Sequence, residues 1–329
     1  MIMKLIEKLS KIEKFIGNTK TYQLDYKRSN LFAKLEYGSF MGSIKDRLAF
    51  YTVRKAILDG YINEDTTVIE SSSGNFAVGL AGICKCLGLK FVAVVDPNIT
   101  EEKEKHLSFL AHKTIKVHKR DQYDSYLLTR IKLINTILEE NGNYFNINQY
   151  KNINNYLCYY NTMANEIIRD FKRLDYLFIA VSTGGTVTGL SLKLKEHYPN
   201  IKIVAVDIEG SIIFSNEVKK RSISGMGASR KSNFIEKGKL DEAIILPQNE
   251  IMQGCFDLLK EQMVFAGGSS GAVYVAAKKL LEKENNPDLN ALIICPDRGH
   301  AYIDSIYKKV DNKVLEKLPK SQLEYGSLV

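Results

Sequence analysis

The sequence predicts an α/β protein of two domains, each a mostly parallel, twisted sheet wrapped by helices. Short β-type runs alternate along the chain with helical patterns, which is typical of parallel sheets covered by helices. The strand runs are almost wholly apolar, and this favours burial on both faces of a sheet. A length of 329 residues exceeds what one small core requires, which favours two domains.

The first half of the chain repeats the strand and helix pattern four times. Apolar, β-branched runs are bounded by polar or Gly-containing turns, and the intervening segments space their apolar residues as amphipathic helices do. Strands are predicted at 31–36, 66–70, 91–95 and 114–118, and helices at 45–59, 75–87, 101–110 and 123–139.

The second half resumes the pattern after the polar stretch NINQYKNINN, which begins at residue 146 and places a domain boundary near residue 150. The predicted order is helix 155–171, strand 176–181, helix 186–197, strand 201–207, helix 250–262, helix 270–282, strand 291–295 and helix 302–309. The final residues, 311–329, are mostly charged and polar, which predicts a flexible tail.

Composition argues against several functional classes. The formal net charge is +8, but Lys and Arg are spread evenly with acidic residues nearby, so we expect a solvated surface and no nucleic-acid partner. The five Cys and five His show no metal-ligand spacing, and no metal is expected. The N-terminus lacks a secretory signal and no apolar run is long enough for a bilayer, which predicts a cytoplasmic protein without membrane contact.

Three loops rich in Gly, Ser and Thr each precede a predicted helix. They are Ser71–Asn75, Ser182–Thr186 and Gly267–Gly271. Backbone N–H groups and hydroxyls at a helix N-terminus bind anions, although one Gly-rich turn by itself is usually only a turn. The second loop lacks the ending of a P-loop and the spacing of a dinucleotide fold, so a single phosphate suits it better.

Lys45 begins a predicted helix within Ser43–Arg47, where its charge opposes the helix dipole. It is either a surface lysine or one whose amine has a depressed pKa and forms a Schiff base.

Together these segments resemble the fold-type II family of pyridoxal-phosphate enzymes, in its branch of cysteine synthases and cystathionine β-synthases. The matching motifs follow the family's order over nearly the whole chain: Gly17–Thr19, Lys34–Glu36, Ser43–Arg47, Ser73–Asn75, Val94–Pro97, Asn148–Tyr150, Thr183–Gly189, Ala205–Asp207, Gly225–Ala228, Gly267–Ala272 and Pro296–Gly299. Each motif is weak by itself, and their joint occurrence in order makes the resemblance specific.

The resemblance implies a cofactor, pyridoxal 5'-phosphate, and a role for each matching residue. Lys45 corresponds to the lysine that carries the cofactor. Thr183, Gly184, Gly185 and Thr186 correspond to its phosphate cup, Asn75 to the partner of the ring hydroxyl and Ser269 to the hydroxyl facing the pyridine nitrogen. Ser72, Ser73, Asn75 and Gln149 correspond to the groups that hold the substrate α-carboxylate. A neutral serine opposite the ring nitrogen weakens the electron sink, which favours loss of a leaving group from Cβ over transamination.

The family's architecture further implies a homodimer and a division of the chain. Residues 35–149 are expected to form an N-terminal domain with Lys45 and the carboxylate loop, and residues 10–34 with 150–310 a C-terminal domain with the phosphate loop.

Departures from the cysteine-synthase pattern indicate a narrower group. Ser182 stands where Gly is usual, Tyr150 where Phe is commoner, and Phe76 where Thr is usual. With Tyr126–Arg130 and Val206–Phe214, these features resemble synthases that join O-phospho-L-serine to L-glutamate, giving N-(2-amino-2-carboxyethyl)-L-glutamate for 2,3-diaminopropionate and siderophore biosynthesis.

Glutamate has two carboxylates and phosphoserine has a phosphate, so their binding requires more hydrogen-bond donors and positive charge than the binding of sulfide does. We therefore expect Arg130, Tyr150 and Ser182 to contact substrate. Arg230 is a weaker candidate, and Arg47 is expected to be a structural ion-pair residue. A cysteine synthase that acts on O-acetylserine or O-phosphoserine is the main alternative. A dehydratase, a haem-type cystathionine β-synthase and a non-catalytic homologue fit the motifs less well.

Overall fold

The computed structural model describes residues 2–230, 232–284 and 286–309 of the chain. The tail predicted at 311–329 lies outside these residues. Among the described residues, no helix combines the length and the apolar character needed to cross a membrane.

Ten strands and ten α-helices alternate in the described part of the chain. The strands are β1 Thr21–Gln23, β2 Asn30–Leu35, β3 Thr67–Ser71, β4 Lys90–Val95, β5 Lys113–Lys116, β6 Tyr144–Asn146, β7 Tyr176–Ala180, β8 Lys202–Ile208, β9 Glu242–Leu246 and β10 Asn290–Cys295. The helices are α1 Ile2–Glu13, α2 Lys45–Leu58, α3 Asn75–Leu87, α4 Glu101–Leu110, α5 Leu127–Glu140, α6 Asn154–Asn161, α7 Met163–Asp170, α8 Gly185–His197, α9 Gln248–Gln262 and α10 Gly268–Glu284.

The strands form two sheets. The smaller has the order β5-β4-β3-β6 and is parallel throughout, and the larger has the order β1-β2-β10-β7-β8-β9. In the larger sheet only β1 runs antiparallel to its neighbour, β2. Parallel sheets wrapped by helices confirm the predicted α/β class.

The sheets share one hydrophobic core. Val68 and Ala93 of the smaller sheet belong to the same buried cluster as Leu177 and Leu292 of the larger one, together with residues of the helices between them. The outer faces of the two sheets pack against separate clusters. The division into 35–149 against 10–34 and 150–310 stays a proposal, and the distribution of strands between the two sheets supports it.

Two predicted helices differ from the structure. The helix predicted at 155–171 is interrupted at Thr162, which lies between α6 and α7 with a φ of -119° and a ψ of -79°, and whose hydroxyl donates a hydrogen bond of 2.6 Å to the carbonyl of Cys158. Such side-chain bonds to the preceding turn bend helices. The helix predicted at 302–309 is wrong, because short 3-10 turns at Gly299–Tyr302 and Tyr307–Lys309 occupy this segment.

Candidate active site

A cavity of about 300 Å³ lies between the two sheets. All of the predicted site residues except Gly185 line it: Lys45, Ser72, Ser73, Asn75, Arg130, Gln149, Tyr150, Ser182, Thr183, Gly184, Thr186 and Ser269. Gly185 is the first residue of α8, directly beside this wall. Segments distant in sequence thus meet in one place, although their individual roles stay predictions.

The fold brings four helix N-termini to this cavity. Lys45 is the first residue of α2, Asn75 of α3 and Gly185 of α8, and Ser269 is the second residue of α10. The first N–H groups of a helix have no partner within the helix and carry its positive dipole end. The cavity therefore favours an anionic ligand before any side-chain charge is counted.

Lys45 lies on the wall of the cavity. Burial lowers the pKa of its amine to about 8, because the charged form loses hydration there. At neutral pH a lysine with this pKa has a far larger neutral fraction than an exposed lysine, and the neutral amine is the form that reacts with an aldehyde.

The Thr183–Thr186 loop approaches its neighbours closely. Gly184 has a φ of +85°, and a Cβ on Gly185 would lie 2.1 Å from Oδ1 of Asn155, so only Gly fits there. Asn155 donates hydrogen bonds to the carbonyl of Gln149 (2.6 Å) and to the Thr183 hydroxyl (3.4 Å). It therefore ties Gln149, a candidate for carboxylate binding, to the Thr183–Thr186 loop.

The Ser71–Asn75 loop is held by Arg130 and by the next strand. The Ser73 hydroxyl accepts hydrogen bonds from Arg130 Nη1 at 3.1 Å and from the backbone N–H of Asp96 at 3.0 Å. Arg130 also forms an ion pair with Asp96 at 3.2 Å, and Gln149 donates to the carbonyl of Ser71 at 3.2 Å. The buried Nε of Arg130 has no hydrogen-bond partner among the described residues.

Asn75 is oriented by an aspartate whose role the sequence did not reveal. Its Nδ2 donates to Oδ2 of Asp297 at 2.7 Å, and the Tyr302 hydroxyl donates to the same oxygen at 2.8 Å. Burial and the Asp297 carboxylate raise the pKa of Tyr302, so it stays a donor. Asp297 lies within the matching Pro296–Gly299 motif, which was the only sequence signal for it.

A second cavity of about 330 Å³ adjoins the first. Arg130, Tyr150, Ser182 and Thr183 line both cavities, and the further lining of the second includes Lys151, Arg221, Arg230 and the buried Glu70. Burial raises the pKa of the Glu70 carboxyl to about 8, so this group is largely protonated at neutral pH.

Arg47 lies below the site in a buried charge cluster. It bonds to Glu36 and Glu166 and not to the neighbouring Asp46, and Lys34 also pairs with Glu166 at 3.0 Å. The cluster joins β2, α2 and α7, so it braces the start of α2 that carries Lys45.

These residues fit the expected cofactor. The start of α8 and the hydroxyls of Thr183 and Thr186 suit a phosphate. Gly184 and Gly185 lie between these threonines, where the structure leaves no room for a side chain. A low-pKa lysine opens into the same cavity.

Comparisons with known proteins give consistent results. A family model described as pyridoxal-phosphate dependent enzyme matches residues 12–297. The chain is 38% identical over 312 residues to an N-(2-amino-2-carboxyethyl)-L-glutamate synthase of Ralstonia nicotianae, covering 93% of this chain and 91% of that protein.

Solved structures agree in fold. An O-acetylserine dependent cystathionine β-synthase from Helicobacter pylori has a TM-score of 0.81 at 28% identity, covering 89% of this chain and 97% of that one. A hydrogen sulfide-producing enzyme from Fusobacterium nucleatum has a TM-score of 0.82 at 26% identity, covering 88% and 98%.

Proposed function

Because the chain belongs to the family of pyridoxal-phosphate dependent enzymes, we propose that it catalyses a β-replacement between O-phospho-L-serine and L-glutamate. The products are N-(2-amino-2-carboxyethyl)-L-glutamate and inorganic phosphate. The C–O bond to phosphate at Cβ breaks and an N–C bond forms at the same carbon, while the amine loses one proton. The observation that carries the proposal is a cation-rich second cavity that shares four lining residues with the Lys45 cavity.

The cofactor is assigned to the first cavity. Thr183, Gly184, Gly185 and Thr186 hold its phosphate at the start of α8, where N–H groups and hydroxyls donate to an anion. Lys45 holds its aldehyde carbon and moves protons at Cα and Cβ of the first substrate, for which a pKa of about 8 is suitable. When bound, the cofactor withdraws electrons from Cα so that the Cα proton and then the Cβ substituent depart.

Ser269 and Asn75 orient the cofactor ring. Ser269 is buried beside the cavity and offers a neutral hydroxyl to the ring nitrogen. Asp297 fixes the amide of Asn75, which leaves the other amide hydrogen for the ring hydroxyl.

The first substrate is held by its α-carboxylate. Ser72, Ser73 and Asn75 lie at the start of α3, and Gln149 is bound to the same loop through the carbonyl of Ser71. An anion at this helix start is favoured by the same N–H groups and dipole that favour the cofactor phosphate at α8.

The second substrate is assigned to the junction of the two cavities. Its amine must come within about 3 Å of the reacting Cβ, so the adjacent α-carboxylate lies at the shared wall. Arg130, Tyr150 and Ser182 form that wall and provide a cation and two hydroxyls. Burial raises the pKa of Tyr150, which keeps its hydroxyl protonated as a donor.

Cysteine synthesis from O-acetylserine or O-phosphoserine is the second candidate. The names of the two solved structures keep a sulfur reaction in view, since one is an O-acetylserine dependent cystathionine β-synthase and the other a hydrogen sulfide-producing enzyme. Sulfide, however, requires no cationic cavity, and the relative with the higher identity carries the glutamate-using name.

A biosynthetic setting completes the proposal. The product supplies 2,3-diaminopropionate for siderophores, and the enzyme works as a homodimer in the cytoplasm. The resemblance to the narrower group of synthases supports the pathway, the family's architecture supports the homodimer, and the odd number of cysteines supports the cytoplasm.

The proposal is tested by product identification. The cofactor-loaded enzyme is given phosphoserine or acetylserine with glutamate or sulfide, and products are identified by mass. We expect the glutamate adduct and an equal amount of phosphate. Lys45→Ala should abolish both, whereas Lys55→Ala, which removes an exposed lysine of the same helix, should not. Formation of cysteine without the adduct overturns the assignment of glutamate.

A further inference from the structure

The second cavity contains more positive charge than the Lys45 cavity requires. Arg130, Lys151, Arg221 and Arg230 all line it, and Glu70 is the one acid among its described lining residues. Burial keeps the Glu70 carboxyl largely protonated at neutral pH, so it does not neutralise them. The cavity therefore has a positive potential that neither the cofactor phosphate nor the first substrate uses in the proposed function.

Arg221 differs from the other cations of this cavity. Lys151 and Arg230 are exposed, and Arg130 already pairs with Asp96. Arg221 is half-buried, and its guanidinium donates to the Ser229 hydroxyl at 3.0 Å and to the carbonyl of Met226 at 3.5 Å. Both acceptors are neutral, and no carboxylate lies within 4.0 Å of it in the part of the chain that the structure describes.

The surrounding loop holds this guanidinium in position. A Cβ on Gly227 would lie 2.3 Å from Arg221 Nη1, so the guanidinium packs directly on the backbone there. Gly227 is fixed in turn, because its N–H donates to the carbonyl of Val181 at 2.7 Å and its carbonyl accepts from the Ser182 hydroxyl at 3.1 Å. Through Gly227, Arg221 is thus linked to Val181 at the end of β7 and to Ser182 at the junction of the cavities.

A half-buried arginine without a carboxylate partner has lost part of its hydration and gains no ion pair in return. Burial accordingly lowers the pKa of Arg221, and the nearby Asp207 offsets this only in part. A planar guanidinium has five N–H donors, and a substrate carboxylate can accept two of them in parallel. The geometry of the loop leaves donors for such a ligand.

We infer that the second cavity binds the side-chain carboxylate of the amine substrate, and that Arg221 is the residue that selects a dicarboxylic amino acid over neutral amino acids. This inference rests on the proposed β-replacement. The amine and α-carboxylate occupy the junction beside Arg130, since the amine must reach the Lys45 cavity. The rest of the substrate then extends away from Lys45 into the second cavity, towards Arg221.

The test compares the cofactor-loaded enzyme with Arg221→Gln, Arg221→Lys and the control Lys220→Gln, which removes an exposed charge from the adjacent residue. For Arg221→Gln we expect the KM for glutamate to rise about 30-fold or more, while the KM for glutamine changes less than twofold. Arg221→Lys should recover part of the affinity, because it keeps the charge but not the planar pair of donors. Phosphate release from phosphoserine in a single turnover should be unchanged in all three variants.

A binding measurement separates this inference from the proposed function. Glutarate has two carboxylates but no amine, so its dissociation constant, measured by calorimetry, does not depend on turnover. It should rise at least tenfold in Arg221→Gln and stay unchanged in Lys220→Gln. If the wild type makes the glutamate adduct but Arg221→Gln changes neither the KM for glutamate nor the dissociation constant of glutarate, the inference fails and the proposed function stands. If the wild type makes no adduct while glutarate binding depends on Arg221, the cavity assignment stands and glutamate is the wrong diacid.

Discussion

The Arg47 cluster and the second cavity both contain arginines withdrawn from water, and they differ in how those arginines are satisfied. Arg47 donates to Glu36 at 2.6 and 2.9 Å and to Glu166 at 2.6 and 2.8 Å. Arg130 has one carboxylate partner and a buried Nε without a partner among the described residues. Arg221 has only neutral acceptors within the described chain.

This difference identifies the Arg47 cluster as part of the structural scaffold and the second cavity as a ligand site. Arg47 uses four of its five N–H donors on two carboxylates and lines neither cavity, so its role is to join the end of β2, α2 and α7. An arginine with spare donors beside a cavity gains its missing partner only when a ligand binds. Substitutions in the first region should therefore change stability, and those in the second should change substrate use.

The largest effect is expected for Arg47→Met. It leaves the buried Glu36 and Glu166 without their shared cation, which costs about 3–5 kcal/mol of unfolding free energy. Urea denaturation monitored by circular dichroism measures this. The control Arg54→Met, an exposed position on the same helix with a partner at 3.9 Å, should lose less than about 1 kcal/mol. A loss from Arg47→Met no larger than that of the control would mean that the cluster is not a stabilising scaffold.

The next effect is acid sensitivity that depends on Glu166. Burial opposes ionisation of this group, but the Arg47 hydrogen bond and charge, with Lys34, outweigh it and lower its pKa to about 2 from an ordinary value of 4.5. A depressed pKa in the folded state adds stability above pH 4.5, and this is lost as the pH falls towards 2.

The stabilisation at stake is about 3 kcal/mol, since each pKa unit corresponds to about 1.4 kcal/mol. The difference in unfolding free energy between the wild type and Glu166→Gln should therefore be constant from pH 7 to 5 and shrink below pH 4.5. Other groups that titrate in the folded protein contribute equally to both variants, so their effect on the unfolding free energy cancels in the difference. Asp46 is one such group, because burial raises its pKa to about 7. A difference that does not change with pH contradicts the proposed pairing.

A smaller effect, on the free-energy scale, is expected for Arg130→Ala. Loss of a cation at the junction should raise the KM for glutamate about tenfold to a hundredfold, or about 1.4–2.7 kcal/mol, while phosphate release from phosphoserine continues. Lys132→Ala, an exposed position on the same helix, is the control. If only phosphate release is impaired, Arg130 serves the leaving phosphate and not the second substrate.

The comparison also shows what the sequence could predict. Lys45 and the loops around Ser73, Thr183 and Ser269 could be predicted because each lies in a compact motif, and the joint occurrence of these motifs in order is specific although each motif is weak by itself. The order of these motifs also identified the family and the cofactor, which the comparisons confirm. The class of fold followed from the alternation of apolar strands and amphipathic helices.

Other features depend on contacts between distant segments. Asn155 sits in a polar stretch that reads as a linker, yet it joins Gln149 to Thr183. Arg221 gives no local signal, because its position depends on the packing of Gly227 against β7. The edge strands β1, β6 and β9 were missed, since β1 and β6 are only three residues long and β9 is largely exposed.

The central claim is that the chain recognises an amine with two carboxylates, and nucleophile competition tests it most directly. The cofactor-loaded enzyme is mixed with phosphoserine and equal concentrations of glutamate, glutamine and sulfide, then quenched at short times, and each product is quantified by mass. The account predicts that the glutamate adduct dominates by at least tenfold over each competitor. Cysteine as the dominant product, or equal use of glutamate and glutamine, would contradict it.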